Sequence, residues 1–221
     1  MFFNLNTLLK TYSLPTAIFL FVSDMFITKA MKYFFESNKK CTPQPFENYV
    51  LSTCDFDRGD NVKYRKHIRT IIELVDKAQR SIHVAMYLFT IRDFSSALIR
   101  AAQRGVLVRV VLDGTMVNCM GSQKPRLAEA GIEVRCNNDL NFLIHHKFCI
   151  IDSEFHTFLD YFRIRNLPRD GIVITGSQNW TRQATAGNWE YTIVSANPQL
   201  VQTYTYEFLR VWNLFNTTPV V

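Results

Sequence analysis

The sequence predicts an α/β layered fold: a central, mostly parallel sheet flanked by helices. Three observations predict it. From residue 61 onward, short β-branched apolar runs alternate with segments whose apolar residues recur at helical spacing. The runs are apolar throughout, as expected for buried strands. At 221 residues with 14% aromatics, the chain can form one domain with a sizeable core plus a short extension, and disorder is excluded.

The extension comes first. Residues 14–28 are largely apolar but interrupted by Pro15 and Asp24, short of the roughly 20 apolar residues of a spanning helix. Extending the segment to residue 35 adds Lys29 and Lys32, whose stems can reach a membrane interface. No small-residue cleavage site follows, so 1–35 reads as a retained membrane anchor rather than a removed signal. The competing reading is an amphipathic helix lying on the domain itself. Lys29, Lys32, Lys39 and Lys40 on its C-terminal side favour a cytosolic domain. Residues 36–60 form a polar connector with Pro43 and Pro45. The five cysteines, Cys41, Cys54, Cys119, Cys136 and Cys149, are odd in number and irregularly spaced, which fits a reducing compartment.

The domain spans 61–217. Ile68, Ile71, Ile72 and Val75 mark its first helix, with Asp60 or Asn61 as cap, and His67 falls inside this pattern. Residues 81–89 read as a buried strand with His83 as a core histidine. Phe94, Ala97, Leu98, Ala101 and Ala102 form the next helical stripe, which Gly105 can end. A strand follows at 106–112, with Asp113-Gly114 as its turn, then a short helix at 123–130 ended by Gly131, then a strand at 132–136. Residues 172–175 and 189–194 are further strands. The last helix carries Val201, Tyr204, Phe208, Val211, Trp212 and Phe215 as packing residues.

The chemistry lies in 144–152, I-H-H-K-F-C-I-I-D. Read as a buried strand, it puts His145 and Lys147 on one face, about 7 Å apart, while His146 points to the other. An imidazole and an ammonium side by side suit an anion between them, and phosphate is the obvious one. Downstream stand Gly176-Ser177-Gln178-Asn179 and Asn188-Trp189-Glu190.

These elements resemble, in the same order, the H-x-K-x4-D, G-S-x-N and N-x-E elements of the phospholipase D superfamily. The Asn-Trp-Thr continuation at 179–181, the single H-x-K and the apolar N-terminus resemble its mitochondrial branch, the Zucchini endonucleases. The resemblance implies a phospholipase D-like fold with one HKD half, and a metal-independent phosphodiesterase without cofactors. His145 would be the nucleophile, forming a phosphohistidine. Lys147 and Asn179 would hold non-bridging oxygens, with a hydrogen bond from Ser177. An acidic group, Asp152 or Glu190, would orient the histidine. A second histidine must protonate the leaving oxygen. The sequence has no second H-x-K, so the resemblance implies a homodimer that joins two copies of His145. Relatives carry a Cys/His zinc element where this chain has only Cys41 and Cys54. Four ligands are not in evidence, so these two read as ordinary thiols rather than a structural zinc site.

Relatives reach the G-S element within about ten residues of the HKD aspartate. Here the spacing is 176 − 152 = 24, which marks an insertion at about 153–171. It holds Arg163, Arg165 and Arg169 among aromatics and reads as a surface insertion, with a basic flap as the functional alternative. The net charge of +6 suits a phosphate-rich partner. The expected substrate is single-stranded RNA, which the resemblance ties to PIWI-interacting RNA biogenesis at the mitochondrial outer membrane. The alternatives are cardiolipin, hydrolysed to phosphatidic acid, and a non-catalytic mitochondrial scaffold.

Overall fold

The structure is a computed structural model that describes residues 46–52, 61–137, 141–153, 168 and 170–215, with scattered positions between 13 and 29. The chain separates into two units, Met1–Gln44 and Pro45–Val221. In the first, Leu14, Thr16, Ile18, Val22, Met25 and Lys29 are helical and exposed. Among the described residues no helix is long and apolar enough to cross a membrane. Most of the expected anchor, Cys41, Cys54 and nearly all of the insertion lie outside the described residues.

The second unit is built in the order β1 (Tyr49–Ser52), α1 (Asn61–Asp76), β2 (Ser81–Met86), α2 (Arg92–Gln103), β3 (Leu107–Leu112), α3 (Lys124–Glu129), β4 (Glu133–Cys136), β5 (Lys147–Ile151), β6 (Ile172–Gly176), α4 (Arg182–Ala186), β7 (Tyr191–Ser195) and α5 (Pro198–Leu214). Its strands form one seven-stranded sheet, ordered β1-β7-β6-β5-β2-β3-β4.

The α/β layering stands, with helices on both faces of the sheet. The sheet itself is mixed rather than mostly parallel. Among the described strands only β2–β3 and β3–β4 pair in parallel, while β1–β7, β2–β5, β5–β6 and β6–β7 are antiparallel. The reason is the connections. Parallel neighbours need a helical crossover. Helices α2 and α3 supply it for the first half, and the strands after β4 insert beside β2 and alternate in direction. A further difference is β1, a strand within the stretch read as connector. Its four residues pair with β7 from Tyr49↔Val194 to Ser52↔Tyr191.

Strand alternation divides the core in two. Ile82, Val84 and Met86 of β2, with Cys149 and Ile151 of β5, pack under α1 and α2. Ala85, Phe148, Ile150 and Val173 face the other way, against Val201, Phe208, Val211 and Trp212 of α5. His83 is fully buried there, its ring stacked on Phe208 at 4.6 Å, as a core histidine should be. Helix α5 begins where the Asn197 side chain accepts a hydrogen bond from the Leu200 amide (3.1 Å) and Pro198 occupies the first turn.

Candidate active site

Because β5 runs antiparallel to β2 and to β6, the C-terminal ends of β2 and β6 and the N-terminal ends of β5 and β7 meet at one end of the sheet. The register pairs Met86 with Lys147, Phe148 with Thr175 and Gly176 with Thr192. Paired residues that are 16 to 61 positions apart in sequence therefore converge on the chain around His145.

His145 is not inside the strand. β5 begins at Lys147, and the expected strand at 81–89 ends at Met86. Beyond that pair, the Tyr87 amide still donates to the His146 carbonyl at 2.8 Å, and the two chains then part. His145 is thereby left on an exposed rim. The segment leading to it is pinned. Fully buried Asp113 accepts from the Ile144 amide at 2.7 Å, and the Asn137 amide group donates to the Phe142 carbonyl at 2.6 Å. Asp113-Gly114 was legible as a turn; its second task, holding the chain beside His145, was not.

The Lys147 ammonium lies 3.2 Å and 3.4 Å from the two ring nitrogens of His145 and donates to the His145 carbonyl at 3.1 Å. The Tyr87 ring closes the group, with its centroid 4.7 Å from that of His145 and 5.4 Å from the ammonium. The contact is far closer than strand spacing alone gives, because the flexible lysine folds back over the ring. Partial burial lowers the Lys147 pKa from its ordinary value, and the Glu190 carboxylate acts in the opposite direction. A half-buried ammonium beside an exposed imidazole suits an incoming anion.

Glu190 accepts from the Ser177 hydroxyl in a short hydrogen bond and from the Asn188 side chain at 3.0 Å. Ser177 in turn accepts from the Tyr191 amide at 3.2 Å. Ser177 thus holds Glu190 at the site. Gly176 has a steric reason in this motif: a Cβ there would overlap the Tyr191 carbonyl across the strand pair. Asn179 is half-buried, and its side-chain oxygen is buried with no hydrogen-bond partner. Such an orphan acceptor costs about 1–3 kcal/mol and suits a group that arrives with the substrate.

Asp152 does not join them. It stands at the far end of β5, roughly 16 Å along the strand from Lys147. Its buried carboxylate accepts from the backbone amides of Gln79 (3.0 Å), Arg80 (2.7 Å) and Ser81 (3.2 Å). Its backbone is left-handed (φ 59°), a conformation aspartate tolerates. The geometry gives it a structural task, tying the entry of β2 to the exit of β5. Of the two acidic residues considered for orienting His145, only Glu190 is at the site.

One buried residue was missed. His67 of α1 bonds through Nε2 to the Gln178 side-chain oxygen at 2.6 Å. The same oxygen accepts from Thr192 at 3.1 Å, and the Gln178 amide donates to the Ala184 carbonyl at 3.2 Å. Gln178 separates Ser177 from Asn179, so this network fixes the loop that carries both. Burial lowers the His67 pKa from 6.5, only partly countered by the bond to Gln178. A group that charges more readily once unfolded makes unfolding easier in acid. Stability is full above about pH 6.5, falls as pH drops toward the lower folded-state pKa, and levels off below it. Urea titrations from pH 7.5 to 5 should show a falling midpoint, and His67→Gln should flatten that fall.

No cluster of three or more potential metal ligands occurs among the described residues.

The sequence profile described as cardiolipin synthase, PLD-like domain, matches residues 71–212, well over half the chain. The chain belongs to the phospholipase D-like family. Among similar proteins, the mitochondrial cardiolipin hydrolase of Drosophila melanogaster is 41% identical over 157 residues, covering 69% of this chain and 61% of that protein. That of Danio rerio is 30% identical over 181 residues, covering 81% and 70%. The phospholipase D family member Nuc from Salmonella typhimurium superposes with a TM-score of 0.58 at 26% identity, over 77% of this chain and 97% of Nuc. The matched span of this phospholipase D-like chain includes His145, Lys147 and Glu190.

Proposed function

We propose that this chain is a metal-independent phosphodiesterase that works through a phosphohistidine on His145. The observation that carries this reading is the contact between the Lys147 ammonium and the His145 imidazole on an open rim, with Glu190 alongside. An unprotonated ring nitrogen attacks phosphorus. A P–N bond forms as the P–O bond to the leaving oxygen breaks, and a second imidazolium gives that oxygen its proton. Water then attacks phosphorus, its proton passes to the now neutral second imidazole, and the P–N bond breaks. Lys147 offsets charge on the non-bridging oxygens throughout.

In this reading the second imidazole is His145 of another copy, as the family resemblance implies, since His146, which shares a cavity wall with Lys147, is engaged by Glu207 at 2.9 Å. The apolar pair Phe142 and Leu143 is 75% and 49% exposed just before the His145 segment. It gives a twofold contact something to bury beside the two rings.

Single-stranded RNA is the substrate we favour. Trp189 (81% exposed) and Tyr191 (50%) flank Glu190 and offer rings to unstacked bases, and the chain carries a net charge of +6. Cleavage would leave a 5′-phosphate and a 3′-hydroxyl. The cellular setting in this proposal is the mitochondrial surface, in maturation of PIWI-interacting RNAs, with residues 1–35 as the anchor. Mitochondrial residence draws support from the names of the relatives. Those names also favour a second reading, hydrolysis of cardiolipin, which the same chemistry serves.

The test incubates the protein in EDTA with labelled single-stranded RNA and, separately, with cardiolipin vesicles. RNA cleavage that persists in EDTA is the expected result. Turnover of cardiolipin alone would transfer the assignment to the lipid, and turnover of neither would leave a scaffold.

A further inference from the structure

A cavity of about 430 Å³ opens beside Lys147 on the α5 side of the sheet, and the reaction above makes no use of it. Its wall includes His146, Lys147, Phe148, Thr175, Tyr204 and Glu207. The polar groups are fixed. His146 Nε2 is 2.9 Å from Glu207 Oε1. Arg210 clamps both carboxylate oxygens at 2.8 Å. Tyr204 is wedged edge-on against Phe148, ring centroids 4.9 Å apart, and its hydroxyl accepts from Thr175 at 3.0 Å.

Two features define the occupant. Arg210 offsets the Glu207 carboxylate, so the positive charge left at the wall is that of Lys147, which the scissile phosphate takes. What remains to a ligand is hydrogen bonding of both kinds. The Tyr204 hydroxyl, with its lone pair used by Thr175, keeps its own proton to donate. Among the described residues Glu207 Oε2 accepts from Arg210 alone, and the hydroxyl of Thr203, also in the wall, donates to the Gln199 carbonyl at 2.8 Å, so both retain lone pairs. A donor and acceptors around one small space match a neutral hydroxyl, which donates and accepts at once.

We propose that this cavity is a subsite for a hydroxyl on the carbon next to the scissile phosphodiester, with Tyr204 and Glu207 as its specificity-determining residues. The inference rests on the reading above only in that Lys147 holds the phosphate. In RNA the hydroxyl is the 2′-hydroxyl beside the leaving 3′-oxygen. In a diphosphatidylglycerol it is the central hydroxyl of the bridging glycerol. DNA has no such group.

The test measures binding, in a full-length His145→Ala background that cannot turn over. One arm compares an oligoribonucleotide with the oligodeoxyribonucleotide of the same sequence by fluorescence anisotropy. The other compares vesicles carrying cardiolipin with vesicles carrying an analogue that lacks the central hydroxyl. The hydroxyl-bearing ligand should bind roughly fivefold tighter, as one added hydrogen bond predicts, and the arm that shows it names the source. Adding Tyr204→Phe or Glu207→Gln should erase that preference while leaving affinity for the hydroxyl-free ligand unchanged. Equal binding within both pairs, or a variant that weakens both members equally, as a merely structural role would, overturns the proposal. Turnover by wild-type protein is scored separately, so failure of the subsite and failure of the phosphodiesterase reading are distinguishable.

Discussion

His145→Ala is expected to lower turnover by about ten-thousand-fold or more, the scale of losing a covalent nucleophile. Lys147→Ala should cost about a hundred- to a thousandfold, the scale of one transition-state charge donor. The difference follows from position. The ring makes and breaks the bond to phosphorus, while the ammonium 3.2 Å away stabilises charge that Asn179 can partly share. A mixing experiment gives the sharper reading. If one pocket needs two copies of His145, a dimer of one wild-type and one substituted chain has a nucleophile without an acid. Activity should then fall as the square of the wild-type fraction when His145→Ala protein is exchanged in. A linear fall would show that one protomer suffices.

The second large effect is on stability. Asp152→Ala removes one carboxylate and leaves three backbone donors, at Gln79, Arg80 and Ser81, without their acceptor. At roughly 1–3 kcal/mol for each buried donor left unpaired, a loss of about 4 kcal/mol is expected. That is a large share of the stability of an ordinary domain. Asp152→Asn keeps an oxygen acceptor and tolerates the left-handed backbone, so it should lose markedly less. Equilibrium urea unfolding measures both. The folded fraction of either variant should keep kcat within about twofold of wild type, because Asp152 lies a strand's length from the reacting groups. A specific collapse of kcat in well-folded Asp152→Asn would restore it to the catalytic apparatus.

That contrast shows what the sequence could convey. His145 and Lys147 were legible because their chemistry is local: two nitrogen side chains two residues apart, in a run too apolar for a surface. Gly176, Ser177 and Glu190 were legible as a pattern, though the pattern did not say that the serine holds the glutamate. Asp152 was misleading for the same reason. It is equally local in sequence, but its partners are more than seventy residues upstream, and no spacing rule reports a carboxylate that accepts from a distant loop. His67 was hidden likewise, its partner Gln178 being 111 residues away. The helices and most strands followed from periodicity. Strand direction did not, because hydrophobic pattern fixes which face of a strand is buried but not which neighbour it pairs with.

The most direct test of the account is to trap the intermediate. Wild-type protein would be mixed with a single-stranded RNA, quenched in neutral guanidinium within milliseconds, and the peptide containing residues 145–147 weighed. The account predicts an acid-labile adduct on His145 whose mass equals the downstream RNA fragment joined through its 5′-phosphate. Turnover at full rate with no adduct on His145, or with the adduct on His146, would contradict it.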